Sequence, residues 1–105
     1  MTTKDYYANK NGFQLKDFLI EVHKNEIRKN NYYYTTPQGF YVLNALKYTV
    51  RAGKKTGNDF DDDIKKAHDY INMGEEVGFP RYEMELYLDV LTETFYNWQG
   101  EKIDI

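Results

Sequence analysis

The chain has 105 residues, enough for one domain with a modest core, and a formal net charge of −3. It contains no cysteine, which excludes disulfides, zinc–thiolate sites and cysteine nucleophiles, and its acidic balance argues against general nucleic-acid binding. Apolar residues make up 41% of the chain and aromatic residues 17%, including eleven tyrosines. We therefore expect a folded core and, because so small a core gains from burying more aromatic surface, a homo-oligomer.

The apolar spacing predicts an all-α fold, a small bundle of about four helices preceded by a short irregular arm. The first helix begins near Gln14, and its apolar spacing ends in the polar run at residues 26–31. The second begins with Thr36 as N-cap and Pro37 at its first position, and ends at Gly53. The polar start and the lack of a long apolar run predict a cytoplasmic protein with no signal peptide and no membrane contact.

The third helix is expected to start with Asn58 or Asp59 as its cap and to end at Gly74. The fourth begins at Pro80 and closes at Gly100. Its apolar stripe is typical of a core or subunit interface and consists of Met84, Tyr87, Leu88, Leu91, Phe95 and Trp98. We interpret residues 1–105 as a single helical domain, in which the helix at about 80–99 serves packing or oligomerisation.

A basic and polar face on the second helix is the strongest candidate site. Its side chains fall within an arc of roughly 100°: Asn44, Lys47, Tyr48, Arg51 and Lys55. A short turn should fold the third helix back antiparallel and bring toward this face Asp62, Asp63, Lys66 and Tyr70. Arginine and lysine bind phosphate, so the hypothesis is a nucleotide- or phosphate-binding groove. The alternative is an ordinary charged helix face with a structural Arg51–Asp63 salt bridge.

The same residues carry a family resemblance. Three motifs, Asn-Ala-Leu-Lys-Tyr at 44–48, Arg-Ala-Gly-Lys-Lys at 51–55 and Asp-Asp-Ile-Lys-Lys-Ala at 62–67, followed by Tyr70, resemble the SaV-like family (DUF3310) of small bacteriophage proteins. The resemblance covers about residues 5–75. It departs from the family pattern at Leu43, where a glycine is usual, at Asp62, which replaces a glutamate, and in lacking the opening histidine. Some family members are labelled nucleotide kinase-like, so the resemblance implies phage origin and nucleotide handling.

Other functions remain open as alternatives. A non-enzymatic effector could bind a host protein, such as an anti-phage defence component, through Tyr32, Tyr33, Tyr34 and the Trp98 helix. A Mg²⁺-dependent nucleotide pyrophosphohydrolase would use the acidic cluster at residues 59–63, although acidic first turns are ordinary helix design. His23 and His68 are expected to be isolated surface residues. No catalytic residue is assigned, and the sequence leaves open whether the protein is an enzyme.

Overall fold

The computed structural model describes residues 6–33, 36–54, 57 and 59–105. Within them the chain forms four α-helices: α1 (Leu15–Lys29), α2 (Pro37–Arg51), α3 (Phe60–Glu76) and α4 (Arg81–Asn97). The described part of the chain has one isolated antiparallel bridge, between Ala8 and Gln14, and no extended strand. The predicted all-α fold with an irregular N-terminal arm is confirmed.

Side-chain caps fix where α2 and α3 begin. Thr36 accepts a hydrogen bond from the backbone N–H of Gly39 at 3.3 Å, and Pro37 opens the helix, as predicted. The Asp59 carboxylate accepts from the N–H of Asp62 at 2.8 Å, so Asp59 is the cap of α3. These caps satisfy N–H groups that have no partner inside the helix.

Gly74 does not end α3, contrary to the prediction. The helix continues to Glu76, and the chain reverses at Gly78, which has a φ of 105°. A Cβ atom on Gly74 would lie only 2.6 Å from the Met84 sulfur, so glycine lets α3 approach α4 closely. The glycine at this position serves packing, which a sequence reading cannot distinguish from a helix stop.

The four helices and the C-terminal tail share one hydrophobic core. The side chains that are nearly inaccessible to solvent are Leu15, Phe18, Val22, Val42, Ala45, Leu46, Ala67, Ile71, Met84, Leu91, Phe95, Trp98 and Ile103. Four residues of the predicted stripe are among them, Met84, Leu91, Phe95 and Trp98, and the other two, Tyr87 and Leu88, are partly buried at the edge of the core. Among the described residues, no helix is both long and apolar enough to cross a bilayer.

Asn9 anchors the N-terminal arm to the end of α4. The Asn9 amide donates to the carbonyls of Phe95 and Trp98, both at 2.8 Å, at the end of α4. Its oxygen accepts from two backbone N–H groups of the arm itself. The Tyr7 carbonyl in turn accepts from the N–H of Leu15 at 2.8 Å. The arm therefore crosses the bundle and carries Tyr7 toward the first turn of α1.

The C-terminal tail, residues 98–105, packs back along α1. The Asn25 side chain bonds both the carbonyl and the N–H of Ile105, at 3.2 and 3.4 Å. Arg28 donates to the Ile103 carbonyl at 2.6 Å, and Lys29 pairs with Asp104 at 2.7 Å. Hydrogen bonds and an ion pair thus hold the C-terminal tail against the second half of α1.

The buried phenol of Tyr33 predicts that the stability of the fold falls at alkaline pH. Its ring stacks on Tyr87 with 3.9 Å between centroids, and burial, followed by the nearby Glu83 carboxylate, raises the pKa of its phenol above 10.0. Above about pH 10 the unfolded chain releases this proton while the folded chain keeps it, so stability falls as pH rises. We expect the parent to lose more stability than Tyr33→Phe between about pH 9 and 11 in urea unfolding. Equal losses would show that Tyr33 does not titrate in this way.

Candidate functional site

A buried ion pair joins α2 to α3. Arg51 Nη2 lies 2.7 Å from Asp63 Oδ1, and the two side chains are 8% and 0% exposed. The hydrogen bond to Asp63 raises the pKa of Arg51 above its ordinary value; burial opposes this rise, and the nearby Tyr7 side chain adds to it. The structure thus contains the Arg51–Asp63 pair that the sequence suggested, in the interior and not on a solvated face.

Three cationic side chains lie near the ring of Tyr48. The Arg51 guanidinium lies 4.7 Å from the ring centroid, and the ammonium groups of Lys47 and Lys66 lie at 5.2 and 5.5 Å. Tyr70 of α3 stacks on Tyr48 at 5.8 Å with 17° between the ring planes. Cations are attracted to aromatic faces, so these five side chains form one cluster, here called the cation–tyrosine cluster.

Asp62 and Asn44 were also predicted for the site but lie outside this cluster. Asp62 is exposed in the first turn of α3. Asn44 donates its amide to the Phe40 carbonyl of its own helix at 2.8 Å. Lys55 lies outside the described residues. Arg51 and Asp63 line none of the four clefts formed by the described residues, and both side chains are buried.

Asn44 and Lys47 line a cleft of about 310 Å³ between α1, α2 and the N-terminal arm, so Lys47 belongs both to the cation–tyrosine cluster and to this cleft. We call it the α1–α2 cleft; its wall consists of Tyr7, Gln14, Leu15, Lys16, Leu19, Leu43, Asn44 and Lys47. Most of the wall is apolar, with polar groups among its leucines. The cleft combines an apolar body with two lysines and two amides.

Sequence reasoning missed six of these eight residues. Lys16 and Leu19 belong to α1, whose approach to α2 is not visible in either helix alone. Tyr7 reaches the cleft because Asn9 anchors the arm to the end of α4. No local pattern marks such a contact. The only sequence signal was indirect, namely that Asn44 and Lys47 share one face of α2.

The electrostatics of the cleft favour an anion. The N-cap of α1 is Gln14, so the partial positive charge of the helix N-terminus adds to that of Lys16 and Lys47. Asp17, exposed in the first turn of α1, is the nearest acidic residue in sequence, and its negative charge offsets part of this positive charge. With two lysines against one carboxylate, the mouth of the cleft keeps a positive balance.

The acidic residues of α3 do not converge. Asp61 and Asp62 are exposed, whereas Asp63 turns inward to Arg51. The described residues contain no group of three or more side chains suited to hold a metal ion. The expectation that His23 is isolated was wrong, because Glu26, three residues later, places a carboxylate oxygen 3.8 Å from its Nδ1 atom.

The aromatic residues suggested for protein contacts differ in how far they are exposed to solvent. Trp98 is buried and donates its indole N–H to the Glu101 carbonyl at 2.7 Å. Tyr33 stacks on Tyr87, and Tyr32 is exposed. Tyr34 lies outside the described residues. Binding to a host protein and homo-oligomerisation both stay predictions.

A profile of the DUF3310 family, described as proteins of unknown function, matches residues 5–72. The chain belongs to this family. It is 33% identical over 107 aligned positions to the SaV protein of Lactococcus phage p2 and 32% identical to that of Lactococcus phage SK1. Each alignment covers 95% of this chain and 77% of the relative. No solved structure matches this DUF3310 chain. The SaV-like resemblance is confirmed, and the family match spans both the cation–tyrosine cluster and the α1–α2 cleft.

Proposed function

We propose that this phage protein binds a nucleotide, or a similar phosphate-bearing small molecule, in the α1–α2 cleft while in the host cytoplasm. One observation carries the proposal: the cleft places two lysines and two amides around an apolar cavity of about 310 Å³. Ligand sites are typically apolar cavities with a few polar groups that orient the ligand, and their volumes begin at roughly 300 Å³. The size suits a mononucleotide better than a dinucleotide.

The cleft offers a different contact to each part of such a ligand. A nucleobase would pack against Leu19 and Leu43, with the Tyr7 ring beside them. The Asn44 amide nitrogen already donates to the Phe40 carbonyl, so the Asn44 amide oxygen would accept a hydrogen bond from the base edge. Phosphate would lie near the ammonium groups of Lys16 and Lys47, which act as movable point charges.

Phosphoryl transfer is the finer form of this proposal, in line with the kinase-like label in the family. It would require a second substrate and Mg²⁺, which binds nucleotides largely through their phosphates. Neither a catalytic residue nor a metal ligand of this chain is assigned. Binding is therefore the step to test first.

Alanine variants of three lysines identify the site. In calorimetry with nucleoside mono- and triphosphates, we expect Lys16→Ala and Lys47→Ala each to weaken binding about tenfold, as loss of one charged contact to phosphate implies. Lys66→Ala should bind like the parent, because Lys66 belongs to the cation–tyrosine cluster and not to the cleft. The matched control is Lys65→Ala, an exposed lysine on α3.

Each outcome has a defined meaning. Weaker binding by Lys66→Ala together with normal binding by Lys16→Ala would move the ligand to the cation–tyrosine cluster. Absence of binding by the parent to every nucleotide at millimolar concentration would end the proposal. Equal binding by all four variants would indicate a site elsewhere.

A further inference from the structure

The outer side of α4 exposes apolar residues beside a groove. Leu86 and Val90, one helical turn apart, are 49% and 37% exposed. They border a groove of about 300 Å³ between α4, the end of α1 and the C-terminal tail, here called the α4 groove. Tyr87 and Ile105 also line it. Exposed apolar surface next to a concavity is typical of a protein-binding face.

The charges around this groove are mostly negative. Glu85, Asp89 and Glu93 are exposed and follow one another at four-residue spacing, which forms an acidic row along α4 next to Leu86 and Val90. The groove is also lined by Glu26, a buried acidic residue.

Two cations near the groove, Lys29 and Arg81, are engaged with acidic partners. Lys29 pairs with Asp104 at 2.7 Å. Arg81, at the start of α4, contacts Glu75 and Glu85 at 3.2 and 3.4 Å. The surface therefore combines an apolar stripe with a net negative border.

We propose that the α4 groove is the docking site for a basic amphipathic helix of a partner protein. An apolar side chain of that helix would enter between Val90 and Ile105, and its lysines or arginines would face the acidic row. A second copy presenting its own α4 would bring two acidic rows together, which the like charges oppose. This inference is independent of nucleotide binding in the α1–α2 cleft.

A pair of designed peptides tests the proposal on the full chain. One is a helix of about 18 residues, five turns, with leucines on one face and lysines on the other; the second replaces every lysine with glutamate. Fluorescence anisotropy should show the leucine–lysine peptide binding at least about tenfold more tightly than the leucine–glutamate peptide, with an affinity that falls as salt is added.

Two serine variants separate docking in the groove from general attraction between opposite charges. Leu86→Ser should weaken the leucine–lysine peptide about tenfold, as expected for a central apolar contact. Ile20→Ser is the matched control, because Ile20 is 53% exposed on α1 and does not line the groove. The two serine variants keep the net charge of the parent, so a difference between them reports the apolar contact.

Three results would overturn the proposal. The first is no binding of the leucine–lysine peptide at millimolar concentration, and the second is equal binding by Leu86→Ser and the parent. The third is a dimer in sedimentation that Leu86→Ser dissociates, which would assign the groove to a second copy. Circular dichroism of both variants checks that they remain folded.

Discussion

Replacing Asp63 with alanine is expected to lower the free energy of unfolding by about 3–5 kcal/mol. Asp63 is fully buried, and its partner Arg51 is nearly so. Removing the carboxylate leaves the guanidinium in the interior without its opposite charge, and Arg51 cannot lose its proton to escape the penalty. Urea denaturation of the parent and the variant measures the difference.

An exposed ion pair on the same helix provides the control. Lys65 and Asp69 are 3.1 Å apart, with side chains 74% and 47% exposed, so Asp69→Ala should change stability by less than about 1 kcal/mol. The double variant Arg51→Met/Asp63→Leu should recover most of the loss, since apolar residues of similar size often replace buried pairs without penalty. A loss below about 1 kcal/mol for Asp63→Ala would show that water enters the site and solvates Arg51.

Phe18→Ala is expected to be similarly damaging, at about 3–5 kcal/mol. The Phe18 ring is fully buried, 5.1 Å from the centroid of Phe95 and 5.5 Å from that of Trp98. Truncation removes apolar contact with both rings and leaves a cavity that the surrounding helices fill only in part. The midpoint of thermal unfolding monitored by circular dichroism would fall accordingly.

Phe40→Ala is the matched control for Phe18→Ala. Phe40 is 55% exposed on α2, and its ring makes edge contacts with Tyr41 and Tyr70. We expect a loss of less than about 1.5 kcal/mol, the upper range for aromatic pair contacts. If the two variants lost the same stability, the α1–α4 aromatic contact would not be a main source of stability.

Helix positions were predictable because several local signals agreed. Thr36 with Pro37, and Asp59 before an acidic turn, are caps whose effect depends only on neighbouring residues. Apolar residues at helical spacing identified the buried sides of all four helices. The role of Gly74 was predicted wrongly because the sequence does not distinguish a glycine that ends a helix from one that permits close packing between helices.

The candidate site was predictable only where two neighbouring helices define it. The short connection from α2 to α3 implied antiparallel packing, and hence the meeting of Arg51 with Asp63. The degree of burial was not predictable, because it depends on Tyr7, Tyr48 and Tyr70 covering the pair. The α1–α2 cleft was missed since it needs the arm, and the arm is positioned by contacts with the far end of the chain.

The joining of the arm to α4, and of the tail to α1, has a consequence for biosynthesis. Asn9 needs carbonyl groups that lie 86 and 89 residues later, and Asn25 bonds a residue 80 positions away. A nascent chain cannot make these contacts until residues 95–105 have left the ribosome, however well its early helices form. We expect the cooperative folding step to follow the emergence of this segment, with the growing chain protease-sensitive until then.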